Sequence, residues 1–150
     1  MAMFVKDSMH TELSSVQKET SLLEAAEIMV ALVVDTLLVL EQGKLVGVIG
    51  LRDLFTAPVP AHYGGGMAGR RDEDQLLDVW RTTPVKNLMN EQAITVTEDT
   101  PLIRAAELMV NTGRHPLPVL RDGIVVGAIS RADVVRMLLA RGRERHERPA

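Results

Sequence analysis

The chain is written twice. Val5-Lys6-Asp7-Ser8-Met9 returns as Val85-Lys86-Asn87-Leu88-Met89, the stretch Thr20 to Val30 returns as Thr100 to Val110, and Val46-Gly47-Val48-Ile49 with Asp53 returns as Val126-Gly127-Ala128-Ile129 with Asp133. Each matched pair lies 80 positions apart, so the copies align without a gap. A repeat constrains architecture before local propensity does, because each copy must build the same supersecondary unit. Copies of roughly fifty residues are marginal as solitary cores. The 150 residues therefore read as one domain made of two half-domains, and stacked copies are expected to form clefts that hold ligands more readily than either copy alone.

Apolar residues make up 46% of the chain and aromatics only 3%, so the core must be Val, Leu, Ile, Ala and Met. The formal charge of −3 argues against wholesale attraction to nucleic acid. With no Cys there is neither a disulfide framework nor thiolate chemistry. The longest apolar run, Ile28 to Val34, stops at Asp35, well short of the roughly eighteen residues of a membrane span. The first residues lack the charged and apolar regions of a signal peptide. A soluble cytoplasmic protein is the expectation.

Each copy reads strand, helix, strand, strand, helix. Short strands at Leu13–Val16 and Ala93–Thr97 lead to Thr20 and Thr100 as helix N-caps, with Pro101 at the first helical position. Leu22, Ala25, Ala26, Met29 and Val30 recur at helical spacing and form one apolar face. Gly113 should close the second copy's helix sharply, whereas Ala31-Leu32-Val33 promises a less definite end to the first. Two hairpins follow, turning through Glu41-Gln42-Gly43 and Arg121-Asp122-Gly123. The fold class expected is α+β, two pseudo-symmetric βαββα halves packed through their sheets. The boundaries expected are 1–56 for the first repeat, 57–83 for a linker with a short helix, 84–140 for the second repeat and 141–150 for a charged tail. Pro58, Pro60 and Gly64-Gly65-Gly66 mark the linker as flexible. Asp74 to Arg81 regains helical spacing, with Leu77 and Trp80 expected on one face, and Arg141 to Arg148 reads as a fraying helix end.

The segment that could carry chemistry is Gly127-Ala128-Ile129-Ser130-Arg131-Ala132-Asp133. A strand ends there and a helix begins, so backbone N–H groups at the turn favour negative charge. Asp133 and Ser130 together could take the two hydroxyls of a ribose, and Arg131 could reach a phosphate. The same residues also make a plain helix start, a Ser N-cap with Asp at its third helical position and no ligand at all. Gly64 to Arg71 lacks the strand before it and the Gly-Lys-Ser/Thr ending of a phosphate loop, so a linker is the better reading, with Arg70 and Arg71 left a minor chance of folding over a nucleotide. The four His show no metal-ligand spacing, so no metal is expected.

These motifs together resemble a tandem pair of cystathionine-β-synthase (CBS) domains, the arrangement called a Bateman module. The Val-Lys-x-x-Met openings, the Thr-x-Leu-x-x-Ala-Ala-Glu-x-Met helices and the Gly-x-Ile-x-x-x-Asp closings carry the resemblance over nearly all of residues 5 to 55 and 85 to 140. It implies a sensor of adenosine ligands (AMP, ADP or ATP, or S-adenosylmethionine) that needs no resident cofactor. It further implies that Asp133 and Ser130 contact ribose, that His115 and Arg131 face phosphate, and that Thr36, Leu37 and Leu38 hold adenine in a cleft between the repeats, with Ile129 beside them. A weaker site would comprise Asp53, Arg52, Pro116 and Leu117. The first copy departs from the pattern, with Gly50 in place of Ser130 and Asp35 in place of His115. One missing hydrogen bond costs about 0.5–1.5 kcal/mol, so the Asp133 site is expected to be the stronger.

The leading expectation is thus a non-catalytic regulatory module, homodimeric through leftover apolar faces and read by an unidentified partner protein, with energy sensing as its family role and no contact with nucleic acid or membrane. A dimerisation scaffold with a decayed ligand site is the alternative. A nucleotide hydrolase would need a carboxylate cluster or a positioned base, and the sequence names neither.

Overall fold

The computed structural model describes residues 2–57 and 69–147, with backbone alone for 69–72. Pro58, Pro60, the triple glycine of the linker and the last three residues lie outside the described residues, as do the side chains of Arg70 and Arg71. The chain divides into two compact units, one made of Ser14–Ala93 and the other of the residues up to Leu13 together with those from Ile94 onward. The units are offset from the repeats. The Val-Lys-x-x-Met opening of each repeat sits with the body of the other.

Burial and backbone pairing explain the offset. Val5 is fully buried in a core with Val96, Leu102, Ala105, Leu117, Val119 and Ile129, while Val85 is fully buried with Leu22, Ala25, Met29, Leu37, Val39 and Ile49. Val5 N–H donates to Thr100 O at 2.8 Å, and Val85 N–H donates to Thr20 O at 2.7 Å. Fully burying a Val contributes roughly 1.5 kcal/mol or more. A buried backbone N–H with no acceptor would cost a comparable amount. Each opening is therefore held by apolar contact and by hydrogen bonds at once.

In the Ser14–Ala93 unit, β1 (Ser15–Val16) runs parallel to β2 (Thr36–Glu41), which pairs antiparallel with β3 (Lys44–Gly50). The helices are α1 (Leu22–Leu32), α2 (Leu51–Leu54) and α3 (Gly69–Thr82). The other unit repeats this order with β4 (Val96–Thr97), β5 (Leu117–Arg121), β6 (Ile124–Ile129), α4 (Leu102–Thr112) and α5 (Arg131–Glu147). Both units carry the expected βαββα order of an α+β fold. Hairpin turns fall at Gln42-Gly43 and Asp122-Gly123, with positive φ at both central residues, the geometry that matches strand twist. The first strands are shorter than expected, two residues each.

Several local expectations need correction. Thr20 and Thr100 do not cap the helices. Their hydroxyls accept the backbone N–H of Gln17 and Thr97, closing the turn out of each short strand. Ser21 caps α1, accepting Glu24 N–H at 3.1 Å, and Pro101 is the residue before α4 rather than its first. α1 ends as sharply as α4. Val33 takes the left-handed conformation at φ 55°, the place Gly113 fills at φ 69° in the other unit. On α3 the half-buried face is Leu76, Val79 and Trp80, while Leu77 is exposed. Trp80 anchors that face by donating Nε1–H to Leu54 O at 3.1 Å and meeting Phe55 edge to face. The stretch read as a fraying end is helical through Glu147, because Arg and Glu are good helix formers even when fully solvated.

Gly127 and Gly47 are set by close approach. His10 and Ala128 exchange both backbone hydrogen bonds, at 2.9 and 3.0 Å, and a Cβ on Gly127 would lie 2.7 Å from His10 O. A Cβ on Gly47 would meet the Met89 sulfur at 2.7 Å and Asn90 O at 3.2 Å. A thioether can swing aside, but a paired carbonyl cannot. We expect Gly127→Ala to lose about 2 kcal/mol and Gly47→Ala about half that, read from urea unfolding midpoints. Equal losses would contradict the account. Val33→Gly should gain about 1 kcal/mol, since a β-branched residue in the left-handed region is strained. A lower melting temperature for that variant would show that no such strain exists.

Candidate functional site

The site is built on the turn from β6 into α5. Ile129 ends the strand fully buried, and Ser130 and Asp133 close a reciprocal cap. Ser130 N–H donates to Asp133 Oδ2 at 2.9 Å, and Asp133 N–H donates to Ser130 Oγ at 3.1 Å. This satisfies two of the N–H groups that a helix start leaves unpaired. Asp133 is the only buried charged residue among the described residues, at 6% exposure.

Two further side chains close on that carboxylate. His10 Nδ1 lies 2.7 Å from Oδ2, and Arg136 donates to Oδ1 at 3.1 Å. Ser8 Oγ donates to the Asp133 backbone oxygen at 2.6 Å. Two carboxylate oxygens offer about four acceptor sites, and three are taken without a ligand. Burial pushes the Asp133 carboxyl up, but the Ser130 N–H, the His10 imidazole and the Ser130 hydroxyl together hold it below its ordinary value. Hydrogen bonds to the charged form outweigh desolvation.

The residues expected to share one site divide between two places. Ser130 is occupied by the Asp133 cap. Arg131 and His115 instead border a groove of about 350 Å³ between α4 and α5, whose apolar lining includes Met109, Val110, Val134 and Val135. Arg131 is exposed and makes no ion pair among the described residues. The side chains of Leu37, Leu117 and Ile129 are fully buried in the two cores, so any ligand contact from them is limited to backbone. Pro116 directly precedes β5. Leu38 lies on the strand face opposite Leu37 and Val39, its N–H taken by Ser14 O at 3.0 Å. Thr36 lies outside the β1 register and donates its hydroxyl to Asp35 Oδ1 at 3.3 Å.

The Ser14–Ala93 unit repeats the cap in reduced form. Gly50 N–H donates to Asp53 Oδ2 at 2.8 Å with no hydroxyl to reciprocate. A Cβ at Gly50 would sit 3.2 Å from Asp35 O, which accepts Leu51 N–H at 3.0 Å. A side chain at this position would require that carbonyl to give by a few tenths of an ångström. Asp53 is half-buried and Arg52 is exposed. Asn90, the counterpart of His10, turns its Oδ1 back to accept Gln92 N–H at 2.9 Å. The expected ranking of the sites therefore meets an obstacle, because Asp133 is the carboxylate more fully engaged by protein.

Sequence reasoning missed His10, Ser8 and Arg136. Arg136 follows Asp133 at helical spacing, a readable signal. Ser8 and His10 stand against Leu88 and Asn90 in the repeat, so their polarity was visible, but the alignment pointed toward Asp53 in their own repeat. Among the described residues no group of His, Asp or Glu could hold a metal ion, and no helix is long and apolar enough to cross a membrane.

A carboxyl held low in the fold adds stability that is complete above its unfolded value, near 3.8, and disappears as pH falls through the folded value. Asp133→Asn should therefore lose about 1–3 kcal/mol at pH 7, with the deficit against the parent narrowing below pH 4. A deficit independent of pH in chemical unfolding would contradict this.

Comparison with known proteins follows the same outline. The CBS domain model matches residues 5–59 and 85–140. An uncharacterized 17.7 kDa protein of Acidianus ambivalens is 30% identical over 93% of this chain and 75% of its own length. A CBS domain-containing protein of Dictyostelium discoideum is 29% identical over 93% of both. Among solved structures, the CBS-pair protein CBSX2 from Arabidopsis thaliana superposes with a TM-score of 0.79 at 27% identity, covering 95% of this chain and 99% of that one. CBSX2 in complex with AMP gives 0.74 at 29%, covering 93% and 98%. The chain belongs to the CBS domain family and carries two copies of the domain.

Proposed function

We propose that this protein is a non-catalytic regulatory module that binds an adenosine ligand, AMP, ADP or ATP, through the first turn of α5. The observation that carries this is the double use of that turn. Arg131, which makes no ion pair among the described residues, faces a groove that His115 also borders, while Asp133 one half-turn on is the buried carboxylate. A cation and an acceptor set apart on one helix start suit a phosphate and a ribose diol, and the helix dipole adds to the phosphate end. CBSX2, similar over most of both chains, has been crystallised with AMP. Occupancy would favour one arrangement of the protein over another, which a regulated partner protein reads.

A scaffold reading is favoured by one observation, the engagement of three of the Asp133 acceptor sites by His10, Ser130 and Arg136. Exposed apolar side chains are common to both readings. Ile103 and Val110 on α4, with Val135 and Leu139 on α5, are each more than half exposed, and we propose that they pair two copies of the chain.

Calorimetry with AMP, ADP, ATP and S-adenosylmethionine tests the proposal. Saturable heat with an adenine nucleotide is expected, and ligand at a hundred times its Kd should add about 2.7 kcal/mol of stability. Heat with S-adenosylmethionine alone would change the ligand assigned. No heat and an unchanged melting temperature with all four would leave the scaffold.

A further inference from the structure

We propose that His10 is an internal competitor for the Asp133 carboxylate, so that a ligand diol must displace its imidazole before it can bind. The inference rests on the reading of Asp133 as the ribose acceptor. Its basis is the 2.7 Å contact from Nδ1 to Oδ2, together with the way His10 is mounted. The backbone at residue 10 is pinned by two hydrogen bonds to Ala128, and the absence of a Cβ at Gly127 lets it approach that closely. The side chain is 41% exposed, against 8% for its carboxylate partner. The ring can therefore leave by rotation about its own side-chain bonds, with no change in the segment that carries it.

The carboxylate that remains is still competent. When the ring leaves, Oδ2 keeps the Ser130 N–H and Oδ1 keeps Arg136, so the vacated site on Oδ2 joins the one already free on Oδ1, on a group already fixed and charged. A vicinal diol presents two donors at the spacing of such a carboxylate. A ligand without the diol gains nothing from displacing the ring. His10 thus raises the threshold for occupancy and selects for ligands with both hydroxyls. The other unit lacks the device, since Asn90 bonds to Gln92 rather than reaching a carboxylate.

The test titrates the full chain, as parent, His10→Ala and His10→Asn, with AMP and with 2′,3′-dideoxy-AMP. Both variants should bind AMP roughly tenfold more tightly than the parent, as expected for loss of one competing charged hydrogen bond, and should bind the dideoxy nucleotide no better. In the unsubstituted protein the His10 imidazole resonances should move on saturation with AMP, a readout that survives if a variant fails to fold. Equal or weaker AMP binding by the variants, or imidazole signals unmoved at saturation, overturns the competition and leaves the proposed function standing. Absence of AMP binding in all three proteins removes this inference, and absence of ADP and ATP binding as well removes the proposed function with it. An equal gain for the dideoxy nucleotide assigns His10 a packing role instead.

Discussion

Val5 and Val85 are both fully buried, each in a core whose strands and helices come from the other repeat. The rest of the structure depends on this exchange of openings. It brings Ser8 and His10 to Asp133, and it sets Asn90 against Val48 in the other unit. It fixes Gly47 and Gly127, because an exchanged segment lies so close to each strand that a methyl group would strike it. It also explains why copies of about fifty residues coexist in one chain, since neither core is complete without the other's first residues.

From identical scaffolding the two units derive different electrostatics. The repeat places an acidic residue at the third position of each second helix, and both carboxylates accept the N–H of their cap residue. Only Asp133 also gains a hydroxyl, an imidazole and a guanidinium. Three substitutions decide this, Ser130 against Gly50, His10 against Asn90 and Arg136 against Thr56. A buried carboxylate with three partners is stable and quiet. It becomes a ligand site only when one partner can be exchanged, and His10, on the oxygen that also accepts the Ser130 N–H, is the partner proposed to leave.

Much of this was legible in the residues. The 80-residue repeat gave the order of elements, and the spacing of Leu22, Ala25 and Met29 gave the buried face of α1. The Gly-bearing hairpin turns lie where the pattern put them. The cap residues were misread by one position because Thr20 and Ser21 both suit a cap, and only the competing turn at Gln17 separates them. Val33 was misread because propensity argues against a β-branched residue with positive φ, yet the helix must end there for β2 to begin at Thr36. The site was half legible. Asp133, Ser130, Arg131 and His115 were named, but their division between a closed cap and an apolar groove depends on which opening packs where, and a gapless repeat pairs each opening with its own copy.

The account stands most directly on one measurement, a crystal structure of the protein grown with AMP. It predicts both ribose hydroxyls on the Asp133 carboxylate, with the imidazole of residue 10 rotated into solvent and its backbone still paired to Ala128. A nucleotide bound elsewhere, with the His10–Asp133 contact intact, would contradict it.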